Sequence, residues 1–404
     1  MKNSKTPLAA AALVVAASTL LGVAGCHSQP SARFTASSAT FPSKVAPYSR
    51  YLGRIEAWLK SERIFISENE AQELAMNMPF ECASNVTDRG VLFVHGLGDS
   101  PYFFRDVAQS LCNQGIRVRT LLLPGHGTKP GDMLKVSYDS WQQETEFHLN
   151  LLAEEVDTLY AGGFSTGANL VTLAASGRDD VEGLLLFSPA FKSRFFVSKL
   201  APYVDSLFPW PNVEKEDNPS RYNSTAMPGF AAYQESVNAL QGYFETKQID
   251  VPVIIVVAEQ DSVVDTQWVA QQYANNFTSP IKCLLWQGET APRDVTEQGA
   301  TVALQTMRLP EKRIAAASHM SVLFSPENPL YGVQSNFRIC DNGQSEGKQA
   351  QCEAGEEVWF GPWGYTDKQH VYSRLTYNPY FDAMIAQLLA FTDKEKASTL
   401  CARD

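Results

Sequence analysis

A serine hydroxyl attacks a carbonyl carbon only with an imidazole to take its proton and a carboxylate to hold that imidazole. Ser165 is the candidate nucleophile, set in Gly163-Phe164-Ser165-Thr166-Gly167 between an apolar run and the small-residue helix expected over Ala168 to Ala175. A sharp strand-to-helix turn needs small flanking residues and pushes the hydroxyl outward. The same serine could serve as an ordinary helix N-cap, so its partners decide between the two roles. Of six histidines, His319 in Ser318-His319-Met320 follows the apolar run Ile314 to Ala317 and is the one expected at a strand end late in the chain. His95 and His126 sit among glycines, in His95-Gly96-Leu97-Gly98 and Leu123-Pro124-Gly125-His126-Gly127. His148 lies on a polar helix and reads as solvent-facing, His27 is near the N-terminus, and His370 falls in a late insertion. Asp261 follows Val253 to Val257 by a short loop, which puts it at a strand's carboxyl end and makes it the favoured orienting carboxylate. Glu259 and Asp265 are rivals for that role, and Asp265 could equally cap a helix starting near Thr266. An oxyanion needs two backbone N–H donors, expected from Thr166 after the nucleophile and Leu97 in the first glycine-rich turn.

These residues need elements to position them. Val91 to Val94, Arg117 to Leu122, Thr158 to Ala161, Gly183 to Phe187 and Pro252 to Val257 read as buried strands. Between them lie helical patterns, such as Phe104, Val107, Ala108 and Leu111 with Gly115 as a stop. Alternation of this kind implies parallel βαβ units, hence an α/β fold. Ile281 to Trp286 and Lys312 to Ala317 are also strand-like, and Asn378-Pro379 offers an N-cap for a final helix with Phe381, Met384, Ile385, Leu388 and Leu389 on one face. Residues 191–249 read as an inserted lid and 325–377 as a second insertion before that helix.

The 404 residues are 44% hydrophobic and 19% charged, with a net charge of -11, which argues against a disordered or nucleic-acid-binding chain. Lys2 and Lys5 precede an apolar run from Leu8 to Gly25, and Val23-Ala24-Gly25 leads directly into Cys26. That is a secretory leader over 1–25 whose last four residues resemble a bacterial lipobox, implying lipid attachment at Cys26. Loss of Lys2 and Lys5 would leave 31 basic residues against 44 acidic, a net charge of -13. Residues 26–46 read as a flexible tether and 47–404 as the folded domain. Six further cysteines, Cys82, Cys112, Cys283, Cys340, Cys352 and Cys401, permit up to three disulfides in an oxidising compartment, with Cys340 and Cys352 the expected local pair. No C-x-x-C or H-x-x-x-H spacing occurs, so no metal site is expected.

Together, His95 to Gly98, Leu123 to Gly127, Gly163 to Gly167, Ala258 to Asp265 and His319 resemble the α/β-hydrolase superfamily, within its monoacylglycerol-lipase-like branch, which includes serine aminopeptidase relatives. The order Ser165, Asp261, His319 agrees with that resemblance. It implies a mostly parallel eight-stranded sheet with helices on both faces, a lid after the sixth strand, and hydrolysis of acyl esters without a cofactor. The expected protein is a serine esterase or lipase in the cell envelope, anchored to a membrane through Cys26; that membrane is the outer one if the source is Gram-negative. An aminopeptidase, amidase or thioesterase using the same triad is the alternative. A peptidase would need acids for the substrate amine, and Glu214, Glu216 and Asp217 in the lid read more simply as a solvated face. A non-catalytic ligand-binding lipoprotein would be marked by a missing triad member, and none is missing.

Overall fold

The computed structural model describes residues 31–401 except 84, 195, 206, 207, 398 and 399. The leader over 1–25 and Cys26 lie outside the described residues.

Eight strands form one sheet: β1 (Glu81–Cys82), β2 (Arg89–Val94), β3 (Arg117–Leu121), β4 (Thr158–Phe164), β5 (Val181–Phe187), β6 (Val253–Ala258), β7 (Lys282–Gln287) and β8 (Val302–Gln305). The spatial order is β1-β3-β2-β4-β5-β6-β7-β8. β1 runs antiparallel to β3 and every other pairing is parallel. A parallel sheet is covered on both faces, so its strands are apolar runs rather than alternating ones; Val91, Leu92, Phe93 and Val94 are all fully buried. Successive side chains point to opposite faces. Val91 and Phe93 join a core with Ile254, Val256 and Leu285, whereas Leu92 and Val94 join another with Leu184, Leu186 and Ile255.

Helices cover both faces. α1 (Tyr48–Glu62) and α2 (Glu70–Asn77) precede the sheet, and α3 (Arg105–Cys112), α4 (Tyr138–Ala153) and α5 (Thr166–Ala175) follow β2, β3 and β4. The lid carries α6 (Phe196–Val204) and the 20-residue α7 (Met227–Thr246). After β6 come α8 (Thr266–Asn275) and α9 (Arg293–Thr296). The late insertion holds α10 (Glu346–Glu353) and a parallel pair, β9 (Trp359–Gly361) with β10 (Tyr372–Arg374), before α11 (Phe381–Phe391) closes the fold. α11 buries Phe381, Met384, Ile385 and Leu388 as expected, but its N-cap is Tyr380; Asn378 instead accepts the Tyr380 N–H with its side chain.

Four expectations need correction. The lid follows the fifth strand, not the sixth, because a single antiparallel strand precedes β2 and the eighth strand is added at the far edge. That edge strand is Val302–Gln305, whereas Lys312 to Ala317 is not a strand. Arg313 adopts a left-handed conformation (φ 55°), and Ile314 makes isolated bridges to Leu309 and Phe360. Residues 314–317 are apolar because they pack into the core, with Ile314 at 0% and Ala317 at 1% exposure. Residues 31–46 are no loose tether: the Ser37 N–H donates to Asp132 at 2.6 Å and the Lys44 N–H to Glu144 at 3.0 Å. His148 does not face solvent; it is 1% exposed, and its Nε2 lies 3.0 Å from the buried Glu144 carboxylate.

The six cysteines pair as Cys82–Cys112, Cys283–Cys401 and Cys340–Cys352. The first ties β1 to the end of α3, the second ties β7 to the C-terminal segment, and the third is the expected local bond of the late insertion.

Candidate active site

β4 ends at Phe164 and α5 begins at Thr166, so Ser165 alone makes the turn. It does so at φ 52° and ψ -115°, a backbone region that L-residues seldom occupy outside functional turns. The Ser165 N–H donates to Phe187 O at 3.0 Å and its carbonyl accepts from the Ala190 N–H at 3.2 Å, which holds the strained residue in place. The neighbouring glycines are dictated by space. A Cβ on Gly167 would lie 2.0 Å from Val94 O, and one on Gly163 would lie 2.4 Å from Ala168 N.

Asp261 comes from the loop after β6 and is fully buried. One carboxylate oxygen accepts the N–H groups of Val263 at 2.7 Å and Val264 at 3.1 Å. The other lies 2.6 Å from His319 Nδ1. A buried carboxylate so satisfied fixes the Nδ1–H tautomer and leaves Nε2 as the acceptor of a proton. Its sequence rivals are used elsewhere. Asp265 caps α8 by accepting the Trp268 N–H at 3.1 Å, and Glu259 binds the Glu289 N–H at 2.5 Å.

His319 sits in a turn rather than at a strand end, and two distant segments and a bond within the turn hold it. Ser188 Oγ, after β5, donates to His319 O at 2.9 Å, Ser318 Oγ donates to Leu375 O at 2.6 Å, and the Ser318 N–H donates to Ser321 Oγ at 3.0 Å. Leu375 follows β10, so the late insertion supports the histidine. The imidazole packs at 4.9 Å from the Phe164 ring, beside the nucleophile. No hydrogen bond joins Ser165 Oγ to the imidazole among the described residues; such bonds are often long in unliganded sites and tighten with substrate.

The expected oxyanion donors lie on either side. The Thr166 N–H opens α5, where a helix leaves its first amides without intrahelical partners, and the Leu97 N–H lies in the glycine turn after β2. Neither amide has a protein acceptor among the described residues. A Cβ on Gly96 would stand 3.1 Å from Ser165 Cβ, so this turn passes directly over the nucleophile.

His95 and His126, which resemble motif residues without an evident task, brace that turn. His126 Nε2 accepts the Gly98 N–H at 3.0 Å, and His95 Nε2 accepts the Leu123 N–H at 3.1 Å. Each must be neutral at Nε2 to accept. Burial provides for this, pushing His95 down to about 4 and His126 well below the usual histidine range.

Two further polar residues, with no motif of their own, stand at the site. Asp99, immediately after the glycine turn, is 5% exposed, and burial raises its carboxyl to about 6 against the opposing pull of Arg221 and His319. Arg221, in the lid, reaches it at 3.9 Å. A signal for Asp99 existed in its position one residue after Gly98; nothing local in the sequence pointed to Arg221.

Among the described residues no cluster of three or more His, Cys, Asp or Glu side chains could hold a metal ion. The arrangement of strained serine, buried carboxylate–imidazole pair and open amides suits acyl transfer through a tetrahedral intermediate.

Residues 86–286 match the family described as serine aminopeptidase, S33. A thermostable monoacylglycerol lipase of Bacillus sp. (strain H-257) is 26% identical over 184 residues, which span 43% of this chain and 71% of that protein. Among solved structures, a soluble variant of monoglyceride lipase from Saccharomyces cerevisiae is 16% identical with a TM-score of 0.44, over 52% of this chain and 80% of that one. The Paleococcus ferrophilus monoacylglycerol lipase is 19% identical with a TM-score of 0.43, over 52% and 87%.

Proposed function

We propose that this chain, which belongs to the α/β-hydrolase superfamily in its monoacylglycerol-lipase-like branch, is a serine ester hydrolase using Ser165, His319 and Asp261 on monoacyl esters such as monoacylglycerols or lysophospholipids. The observation that carries the reading is the 2.6 Å contact of His319 Nδ1 with a fully buried Asp261, beside a serine held at φ 52°. In this mechanism His319 Nε2 takes the Ser165 proton as Oγ attacks the ester carbonyl. The Leu97 and Thr166 N–H groups hold the oxyanion, and the imidazolium returns the proton to the leaving alkoxide. Water, deprotonated by the same imidazole, then releases the acid.

Lipid attachment at Cys26 and residence in the cell envelope, on the outer membrane of a Gram-negative source, belong to the same proposal. The pairing of the six other cysteines supports an oxidising compartment. The acidic lid run argues against the aminopeptidase alternative. Glu216 accepts the N–H groups of Asn223 and Ser224 at 2.9 and 2.7 Å, so the lid itself uses this carboxylate.

The test is hydrolysis by the full chain of esters of graded acyl length, with aminoacyl amides in parallel. Ser165→Ala should lose activity by at least about 10⁴-fold. Equal rates for wild type and variant would sink the proposal, and a preference for the amides would replace ester by peptide chemistry.

A further inference from the structure

Arg63 is a buried cation in a segment that precedes residues 86–286, the part of the chain that matches the family. It follows α1, and its side chain is 5% exposed against 0% for its partner Glu73 on α2. Arg63 Nε and Nη2 donate to one Glu73 oxygen at 2.9 and 2.6 Å. The other Glu73 oxygen accepts the Ile66 and Ser67 N–H groups at 3.1 and 2.7 Å. Burying such a pair adds little net stability, because desolvation of both charges offsets most of their attraction. Stability alone is thus a weak reason for a guanidinium here, and its remaining donors supply a better one.

Those donors reach two segments far apart in the chain. Nη1 donates to Gly127 O at 2.5 Å, in the turn after β3, and Nη2 donates to Pro219 O at 2.9 Å, in the lid. A planar fork fixes the directions of its hydrogen bonds relative to one another, which a lysine ammonium does not. Asn77, also on α2, donates to the same Pro219 O at 2.8 Å. The late insertion holds the neighbouring lid residues, since Tyr331 OH bonds Asn218 and Ser220, each at 2.8 Å.

Both segments converge on one glycine. His126, next to Gly127, accepts the Gly98 N–H on Nε2 at 3.0 Å. Tyr222, on the same lid segment as Pro219, donates its N–H to Gly98 O at 2.7 Å. The two segments are also tied to each other, as the Tyr222 hydroxyl accepts the Thr128 N–H at 2.8 Å. Gly98 adopts φ 77° and follows Leu97, whose N–H is the expected oxyanion donor. The peptide on each side of Gly98 is therefore held by a segment that Arg63 holds. A displacement of the guanidinium reaches the Leu97 amide by two hydrogen-bonded routes, neither of which passes through Ser165, Asp261 or His319.

We propose that Arg63 is a positioning residue for the oxyanion hole, acting through Gly127 and Pro219, so that a segment before the matched region sets the geometry of the reaction. This rests on the ester-hydrolase reading and adds to it a residue remote from the reacting atoms. A displaced oxyanion donor and a lost ion pair have different kinetic signatures. The donor acts on the transition state far more than on the bound ester, so its displacement lowers kcat and leaves KM. Loss of packing alone reduces the folded fraction and leaves each surviving site at full rate.

The experiment uses the full chain carrying Arg63→Lys, which keeps a charge for Glu73 but not the fork. A double variant, Arg63→Met with Glu73→Gln, leaves no buried charge unpaired and guards against misfolding of the first. Active sites are counted by titration to completion with a fluorophosphonate. The kcat for a p-nitrophenyl ester of a medium-chain acid is then expressed per active site, beside KM. Both variants should lose at least about tenfold in kcat with KM within about twofold, since a misplacement of about 1 Å can cost about 10²-fold. Wild-type kcat per active site in both variants, whatever their stability, overturns the positioning role and leaves the esterase reading intact. A rise in KM at unchanged kcat overturns it as well. Wild type that hydrolyses no ester overturns both readings.

Discussion

Asp99→Asn isolates the energetic cost of the buried carboxylate. The group rises from 3.8 to about 6, and at about 1.4 kcal/mol per unit this is roughly 3 kcal/mol. The raised value means the native state binds a proton that the unfolded chain has already released between pH 3.8 and about 6. Stability therefore falls as pH rises through that window and stays lower above it. An asparagine is neutral throughout and escapes this. The variant should match or trail wild type near pH 4 and overtake it near pH 8, with a relative gain of about 2 to 3 kcal/mol across the interval. Of the groups facing Asp99, Arg221 is the basic one, at 3.9 Å. Burial raises Tyr331 and keeps it neutral. His319 also acts on Asp99, so the pair is repeated in a His319→Gln background to remove that contribution. The assay is denaturant unfolding of both proteins at each pH, with the slope m compared to verify the same transition. Parallel stability curves for wild type and variant, in both backgrounds, would refute the reasoning. A gain in stability with a loss of activity is the pattern expected where function maintains a strained group.

Three other outcomes follow from the same geometry. Asp261→Asn should keep the fold but lower kcat on the preferred ester by about 10⁴-fold, because the amide holds the wrong imidazole tautomer; steady-state kinetics beside near-native circular dichroism checks it. Gly167→Ala places a methyl 2.0 Å from Val94 O and should cost about 2 to 4 kcal/mol in denaturant unfolding, since backbone and not a flexible side chain must yield. Removing the Cys283–Cys401 bond as a paired serine variant should cost up to about 5 kcal/mol by the loop-closure estimate for a separation of 118 residues. For Cys340–Cys352, separated by 12 residues, the same estimate is about 3 kcal/mol; thermal unfolding should rank the two in that order.

Where chemistry demands local geometry, neighbouring residues carry the signal. Ser165 needs a turn that excludes Cβ atoms at Gly163 and Gly167, and that demand is written within five residues. Asp261 was separable from Asp265 only partly, because both follow the same strand by a few residues. Which carboxylate points inward depends on the Val263 and Val264 amides, and Asp265 is taken by the α8 cap. His319 was found through its company, yet its strand was not there. Burial of Ile314 to Ala317 against distant segments makes a loop look like a strand, and the true edge strand Val302–Gln305 is too short to announce itself.

By itself, then, the sequence determined the α/β class, the parallel apolar strands, the strained serine and the likeness of its motifs to a hydrolase family, because each rests on residues close in the chain. The tertiary structure alone decided the relations between residues far apart. Glu144 holds the Lys44 N–H from a separation of 100 residues, and the Cys82–Cys112 and Cys283–Cys401 pairings join segments that nothing local brings together. Asp99 meets Arg221, and the late insertion steadies both that lid segment and the His319 turn. Such contacts are set by where the sheet carries each loop, and no local periodicity or composition encodes them.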